Sequence, residues 1–437
     1  MAISITKVRS KERDMKVSYF FLLFLVPFAT PAALAEVATP TNITTNGSRE
    51  PAPGTVIDAK NGDLYGRLIP VAARLAIKHG FKLDVVPTTR IDWPEAYKQA
   101  TERYSHQVGL DSNDVIQNYV AGAPFPSVEA SDPKAAIKIS YDWRWGPFVF
   151  DDYTLSQPKI ANYTVDASRP FRLSHDDAYD YTATSCIWLR FAHRTAVDPR
   201  PAIEPNGQGV EEKMICTGQQ EMRYEDCDAA LHVRYLDPSK VDDNFYHSRS
   251  RRRVDRIDVS YDGEYWGWKS AFLGLPKTEL YSWRLLGTAL LMSCIGAIHE
   301  PAGVVVDGQE ARFVDEPFQL RNVWILESVP RDPKWKDLRT ITYVDTETYL
   351  PLAQEFYQGE EQTAVNMSLW RRVAEGAPFY LAGQIEHVPA GRTYRTGGFS
   401  SDARGGESFY FYLLEAGSQK LNSGDVSEDI FNPKQMQ

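Results

Sequence analysis

The sequence predicts a mainly β protein of the α+β class, built on a large antiparallel sheet. Three observations carry this: apolar and polar residues alternate with period two in many stretches, few helical runs separate them, and turn signals punctuate them. Of the 437 residues, 43% are hydrophobic and 24% charged, with 10 Trp, 23 Tyr and 20 Phe. That is an ordered globular chain, not a disordered, collagenous or small disulfide-framework one. A βαβ arrangement does not fit the pattern.

Residues 1–35 read as an export signal. Lys7, Arg9, Lys11, Arg13 and Lys16 precede the apolar run from Val17 to Ala29, and Ala33-Leu34-Ala35 supplies a small-residue cleavage site. The run is too short to span a bilayer comfortably. The chain is therefore expected in the periplasm, cleaved after Ala35, with an association with the outer membrane left open. Glu36 rather than Cys follows the cleavage site, which gives no lipid anchor, and Met15 offers a second start. Residues 36–56, rich in Thr, Asn, Pro and Ala, form an extended mature N-terminus. Residues 57–437 are expected to form a single β-rich domain with N-terminal helices.

Leu64 to His79, stopped by Gly80, is expected to be a helix interrupted near Pro70. A better-defined helix begins at Asp92-Trp93-Pro94-Glu95, a capping residue with Glu three positions on, followed by Ala96, Tyr97, Ala100 and Tyr104 at helical spacing. Beyond Gly122 the period becomes two. Ile137, Ile139, Tyr141, Trp143 and Trp145 alternate with Lys138, Ser140, Asp142 and Arg144, which predicts a half-buried strand. The same alternation recurs at Leu231-Val233-Tyr235, Ile257-Val259-Tyr261, Ile341-Tyr343 and Phe409-Phe411-Leu413, with Asp262-Gly263 as a turn. Leu285 to Ile298 reads as a buried strand or core helix, and Gly287 and Gly296 weaken the helical reading.

Recognisable chemistry is sparse. Formal net charge is −10, from 48 basic and 58 acidic side chains, and an acidic chain without a long basic run is poorly suited to a nucleic-acid backbone. There is no G-x-S-x-G, H-E-x-x-H, C-x-x-C, P-loop or G-x-G-x-x-G motif. His175-Asp176-Asp177 and His299-Glu300-Pro301 read as solvated turns before metal or acid–base clusters. Asp226-Cys227-Asp228 is a calcium-loop fragment whose ligand series does not continue, and Phe399-Ser400-Ser401 has no identifiable base. No catalytic residue, metal ligand or cofactor is assigned, and nothing here demands an enzyme.

Two features invite a role. Four cysteines (Cys186, Cys216, Cys227, Cys294) in an exported chain allow up to two disulfides. Cys216 and Cys227 flank a short polar stretch and form the favoured pair, while Cys186 and Cys294 read equally well as bonded or as buried thiols. Arg249, Arg251, Arg252, Arg253 and Arg256 form the one sharp basic run. It reads as a rim strand neutralised by Asp242, Asp243 and Asp255, or as a docking point for an acidic partner or lipid headgroups.

Several segments, taken together, resemble one family. They are Gly122-Ala123-Pro124-Phe125-Pro126, Val233 to Lys240 with Phe245-Tyr246 and Arg251 to Val254, Trp324 to Pro333, and Tyr343 to Thr348. In order and spacing they are similar to an uncharacterised proteobacterial periplasmic family catalogued as a domain of unknown function, over roughly residues 90–420. The resemblance implies a fold like the lipoprotein carriers LolA and LolB, a curved antiparallel sheet or half-open β-barrel partly covered by helices. It also implies a carrier or accessory role beside resistance-nodulation-division type exporters and an outer-membrane partner, with no established catalytic residues. The family's central segment is usually more polar than Leu285 to Ile298. A half-closed sheet lined by apolar side chains would shelter a hydrophobic small molecule or lipid, with Tyr141, Trp143, Trp145 and Tyr343 as candidate liners. A non-catalytic envelope adaptor and an unrecognised periplasmic hydrolase are the alternatives. N-terminal sequencing of the cell-expressed protein is expected to begin at Glu36 or within a few residues. An intact N-terminus on protein from soluble cytosol would contradict export.

Overall fold

The structure, a computed structural model, describes residues 49–148, 150–156, 163–166, 185–217, 227–248, 250–257, 277–298, 304–307, 310–313, 316–372, 374–389, 393–396, 399–402, 408–413 and 419–436. The export signal, His175-Asp176-Asp177, Asp226, Arg249, Val259, Tyr261, Asp262-Gly263 and His299-Glu300-Pro301 lie outside the described residues.

The described chain begins with β1 (Val56–Ile57), a 3-10 turn (Gly62–Leu68), α1 (Val71–Lys78) and β2 (Phe81–Asp84). α2 (Glu95–Tyr104), the small hairpin β3 (Gly109–Leu110) and β4 (Ile116–Gln117), and α3 (Ala135–Arg144) follow. Next come β5 (Asp152–Leu155), β6 (Tyr163–Asp166), β7 (Ser185–Arg190), β8 (Val210–Thr217), β9 (Cys227–Tyr235), β10 (Asp243–Ser248) and β11 (Arg253–Ile257). The long β12 (Tyr281–Ala297), β13 (Val304–Asp307), β14 (Glu310–Phe313), β15 (Phe318–Pro330), β16 (Leu338–Asp345), β17 (Pro351–Gln358), β18 (Glu361–Arg372) and β19 (Phe379–Val388) come after. β20 (Thr393–Thr396), β21 (Phe399–Asp402), β22 (Ser408–Leu413) and β23 (Gln419–Leu421) complete the set. No helix among the described residues is long and apolar enough to cross a membrane.

Two antiparallel sheets dominate. The seven-stranded one runs β11-β10-β9-β8-β7-β5-β23, and the eight-stranded one β12-β15-β16-β17-β18-β19-β22-β6. A parallel pairing of Cys294–Ala297 with Leu369–Arg371 also joins β12 to β18. The strands β12, β15, β16, β17 and β18 thus form a closed circuit, and the sheet is strongly curved. β12 is a strand, so the apolar Leu285–Ile298 segment is not a helix. Gly287 and Gly296 carry the positive φ angles of 147° and 90° that its irregular path requires.

The helices sit on this curved sheet. Ala72, Ala73, Ala76 and Ile77 of α1 pack with Met292, Cys294, Val365, Met367, Leu369 and Ile385, and the small alanines let the helix approach the strands closely. Gly80, at φ 99°, ends the segment as expected. In α2, Pro94 rather than Asp92 occupies the N-cap position. The predicted strand at residues 137–145 is corrected: it is α3. The reason is burial on every side. Ala135, Ala136, Ile137, Ile139, Ser140, Tyr141, Asp142, Trp143 and Arg144 are all buried, so the polar residues that mimic a solvent face are inside and no helical stripe shows. Asp132 and Pro133 ahead of the helix, with Asp132 Oδ1 accepting from Lys134 N at 2.8 Å, are the start signal.

Alternate faces of the seven-stranded sheet have different partners. Leu189, Ile215, Leu231 and Val233 pack with Phe431 and Met436 near the C-terminus. Tyr153, Trp188, Met214 and the Cys186–Cys216 disulfide pack against Tyr380 and Ala382 of β19. The favoured Cys216–Cys227 bridge is therefore corrected. Antiparallel register sets Cys186 directly opposite Cys216, with Cα atoms 4.1 Å apart, and spatial pairing overrides the short spacing in sequence. Cys294 is a free, buried thiol. Because the bridge closes a loop between cysteines 30 residues apart, replacing both by Ala should cost about 2–4 kcal/mol in denaturant unfolding. Non-reducing peptide mapping should recover the two cysteines in one linked pair, and a Cys216–Cys227 peptide would refute the register.

Candidate functional site

α3 is the hub of the polar interior. Its carboxylate Asp142 is fully buried and accepts at Oδ1 from the backbone N–H of Phe125 at 2.8 Å. That bond holds the Gly122-Ala123-Pro124-Phe125-Pro126 loop. Thr101 Oγ1 accepts from Ala123 N at 2.8 Å, and Tyr119 donates its hydroxyl to the Gly122 carbonyl at 2.8 Å. Gly122, at φ 84°, admits no side chain: a Cβ would lie 2.4 Å from the Thr101 nitrogen. Asp142 Oδ2 and the Tyr97 hydroxyl have no partner among the described residues. Burial raises the Asp142 carboxyl well above its ordinary range, against the lowering effect of the Phe125 bond, so the group is held as the neutral acid.

The end of α3 carries charge into the space between the sheets. Arg144 donates to Glu211 Oε2 at 2.7 Å and to Glu279 Oε2 at 3.0 Å. Trp145 Nε1 donates to Glu211 Oε1 at 3.1 Å. Burial alone would raise the Glu211 carboxyl, but the guanidinium groups of Arg144, Arg234 and Arg190 outweigh it and hold Glu211 ionised. Beside it runs a row in β register, Arg190, Glu212 and Arg234, continued by Asp242 and Lys277. Among the described residues, four cations (Arg144, Arg190, Arg234, Lys277) meet four anions (Glu211, Glu212, Asp242, Glu279) in this seam. Burial lowers the His193 imidazole to about 4, so it is neutral at physiological pH. This matched network suits structural clamping more than proton transfer.

The apolar side of α3 is different. Trp143, Ile139 and Ala136 join Leu291, Val323, Leu326, Val344, Trp370 and Phe379 in one core. Around it Trp93, Val128, Trp283, Leu285, Ala289, Trp324 and Tyr343 are only partly buried. Register pairs Trp283 with Ser328, Leu285 with Leu326 and Thr288 with Trp324, which places Trp283, Leu285 and Trp324 on one face of the β12–β15 ladder. Trp283 meets Trp143 edge to face at 6.2 Å.

The candidate liners are thus dispersed. Trp143 floors this half-open core, and Tyr343 adjoins it while donating its hydroxyl to Glu355 at 2.6 Å. Tyr141 and Trp145 belong to a separate cluster and stack at 5.4 Å. The sequence reading did not take the half-buried Trp93, Trp283, Leu285 and Trp324 as liners, and the apolar density of Leu285–Ile298 was a signal for Leu285 alone. In the basic run, Arg251 and Arg252 occupy the turn between β10 and β11. Arg251 and Arg253 pair with Asp255 at 2.6 and 2.9 Å, and Arg256 pairs with Asp243 at 2.5 Å. Ser400 and Ser401 lie on β21. Among the described residues no three His, Cys, Asp or Glu side chains converge as a metal site.

Fold and site together define a mostly β protein, dominated by two antiparallel sheets, with a clamped polar seam and an apolar core flanked by partly buried tryptophans. The chain belongs to the family described as protein of unknown function (DUF1329), whose model matches residues 56–437. No curated protein matches it. Among solved structures it is similar to a DUF1329 family protein from Desulfovibrio piger, at 14% identity and a TM-score of 0.36, covering 66% of this chain and 92% of that one. It is also similar to a putative outer membrane lipoprotein-sorting protein domain from Vibrio parahaemolyticus, at 12% identity and a TM-score of 0.35, covering 65% and 91%. A LolA superfamily protein from Nitrosomonas europaea aligns at 13% identity and a TM-score of 0.34, covering 68% and 97%.

The neutral Asp142 makes a signed prediction. A carboxyl whose native pKa is raised stabilises the fold best at low pH, and that contribution is lost as pH climbs from the unfolded value towards the native one. In urea unfolding, the stability of wild type relative to Asp142→Asn should fall as pH rises above the ordinary carboxylate range. Parallel stability profiles for the two proteins would show that Asp142 is ionised in the native state.

Proposed function

We propose that the protein is a periplasmic carrier for a hydrophobic ligand, the acyl chain of a lipid or lipoprotein, passed between an inner-membrane exporter and the outer membrane. One observation carries the reading: three tryptophans (Trp93, Trp283, Trp324) and Leu285 are left half-buried around a single core floored by Trp143. A chain folded only for its own stability gains by sealing such side chains, and clustered apolar surface rimmed by polar residues is characteristic of binding sites. Covering ten methylenes there would gain roughly 8 kcal/mol before the cost of association. In the basic run, Arg251, Arg253 and Arg256 are already paired with Asp255 and Asp243. The exporter and outer-membrane ends of the route rest on the export signal and the family resemblance.

Purified protein should bind a fluorescent acyl probe, quenching or shifting its tryptophan emission. Leu285→Asp should weaken that binding about tenfold or more while costing only about 1 kcal/mol of stability, because Leu285 is already partly solvated. Absence of co-purified lipid in native mass spectra, together with no probe binding to wild type, would remove the carrier reading in favour of an envelope adaptor.

A further inference from the structure

Among the described residues, Arg372 is the buried arginine with neither an ion pair nor a set of carbonyl acceptors. Arg372, the last residue of β18, is 8% exposed, yet among the described residues its only hydrogen bond runs from Nη1 to the Asp92 carbonyl at a long 3.4 Å. Its Nε is buried without a partner. The Asp92 carboxylate is turned outward to Arg90 at 3.2 Å, and Glu375 stands exposed on the turn that follows. The guanidinium lies over the Phe379 ring, 5.2 Å from its centroid.

The other buried arginines are served differently. Arg144, Arg190, Arg234, Arg321 and Arg371 each have a carboxylate, and Arg194 reaches the carbonyls of Asp151, Arg190, Val197 and Pro199. A guanidinium presents five N–H donors and cannot shed its charge. Burying one with a single weak acceptor is a standing cost to the fold.

Position supplies the reason. Phe379 and Trp370, on either side of Arg372 in the β18–β19 turn, belong to the half-open core, and Asp92 adjoins its rim residue Trp93. We propose that Arg372 receives the anionic end, a carboxylate or a phosphate, of the ligand whose acyl chain lies on Trp93, Trp283, Leu285 and Trp324. The inference rests on the carrier reading and adds the ligand class: an anionic amphiphile. The planar fork suits two parallel hydrogen bonds to either group.

The test compares dodecanoate, dodecyl phosphate and dodecanol, which share one chain, on the full mature protein. Wild type should bind both anions at least tenfold tighter than the alcohol, and whichever anion binds tighter names the source as free fatty acid or phospholipid. Arg372→Met should abolish that preference, keep the affinity for dodecanol, and hold or raise the ligand-free Tm because an uncompensated charge is gone. Arg372→Lys should keep part of the preference. Equal binding of all three by wild type, or a preference surviving in Arg372→Met, overturns the role of Arg372 and leaves the apolar face standing. A fall in ligand-free Tm of more than about 5 °C in Arg372→Met would mark the arginine as structural and likewise overturn it. Failure of all three compounds to bind wild type removes the carrier reading itself.

Discussion

The rest of the structure depends on one buried ion-pair triad, Glu211–Arg144–Glu279. Glu211 belongs to the seven-stranded sheet, Glu279 leads directly into the eight-stranded one, and Arg144 ends the helix between them. A guanidinium taken from water into that space is tolerable only with both carboxylates in place, and each carboxylate needs the guanidinium in turn. The three groups therefore specify how helix and sheets meet more than they add net stability. With that junction set, α3 can offer Trp143 to one side and Tyr141 and Trp145 to the other.

Loops are fixed by the same logic of fully used carboxylates. Asp151 accepts from the backbone of Thr195, Ala196 and Val197, and Asp152 accepts from Ser423 and Gly424. Asp345 takes Arg321, Glu347 N and Thr348. Irregular segments of this protein are held by short acidic side chains rather than by apolar packing.

Much of the fold was legible in sequence because β9 and β16 alternate as strands should. The strand class, the interrupted helix before Gly80 and the helix after Pro94 all follow from local pattern. What misled was burial on both faces. In α3 the polar Ser140, Asp142 and Arg144 face protein, so a helix imitated an alternating strand. Arg190, Glu212 and Arg234 look in sequence like the wet side of a sheet, yet they form a dry seam. Cys216 was matched to its near neighbour in sequence, when cross-strand register decided its partner. The cluster of partly buried tryptophans needed Trp93 ahead of α2 together with α3, β12 and β15, a convergence that no single segment displays.

The sheet order has a consequence for how the chain comes into being. β5 finds its outer neighbour only in β23, and β6 only in β22; Tyr153 and Gln419, bonded across that edge, are 266 residues apart. The seven-stranded sheet therefore keeps a place for a late strand, β23, and the eight-stranded sheet takes up an early one, β6. Pairings so distant in sequence are slow to form, and the early strands have nothing to complete them while synthesis continues. Completion of both edges therefore waits on the C-terminal end of the chain.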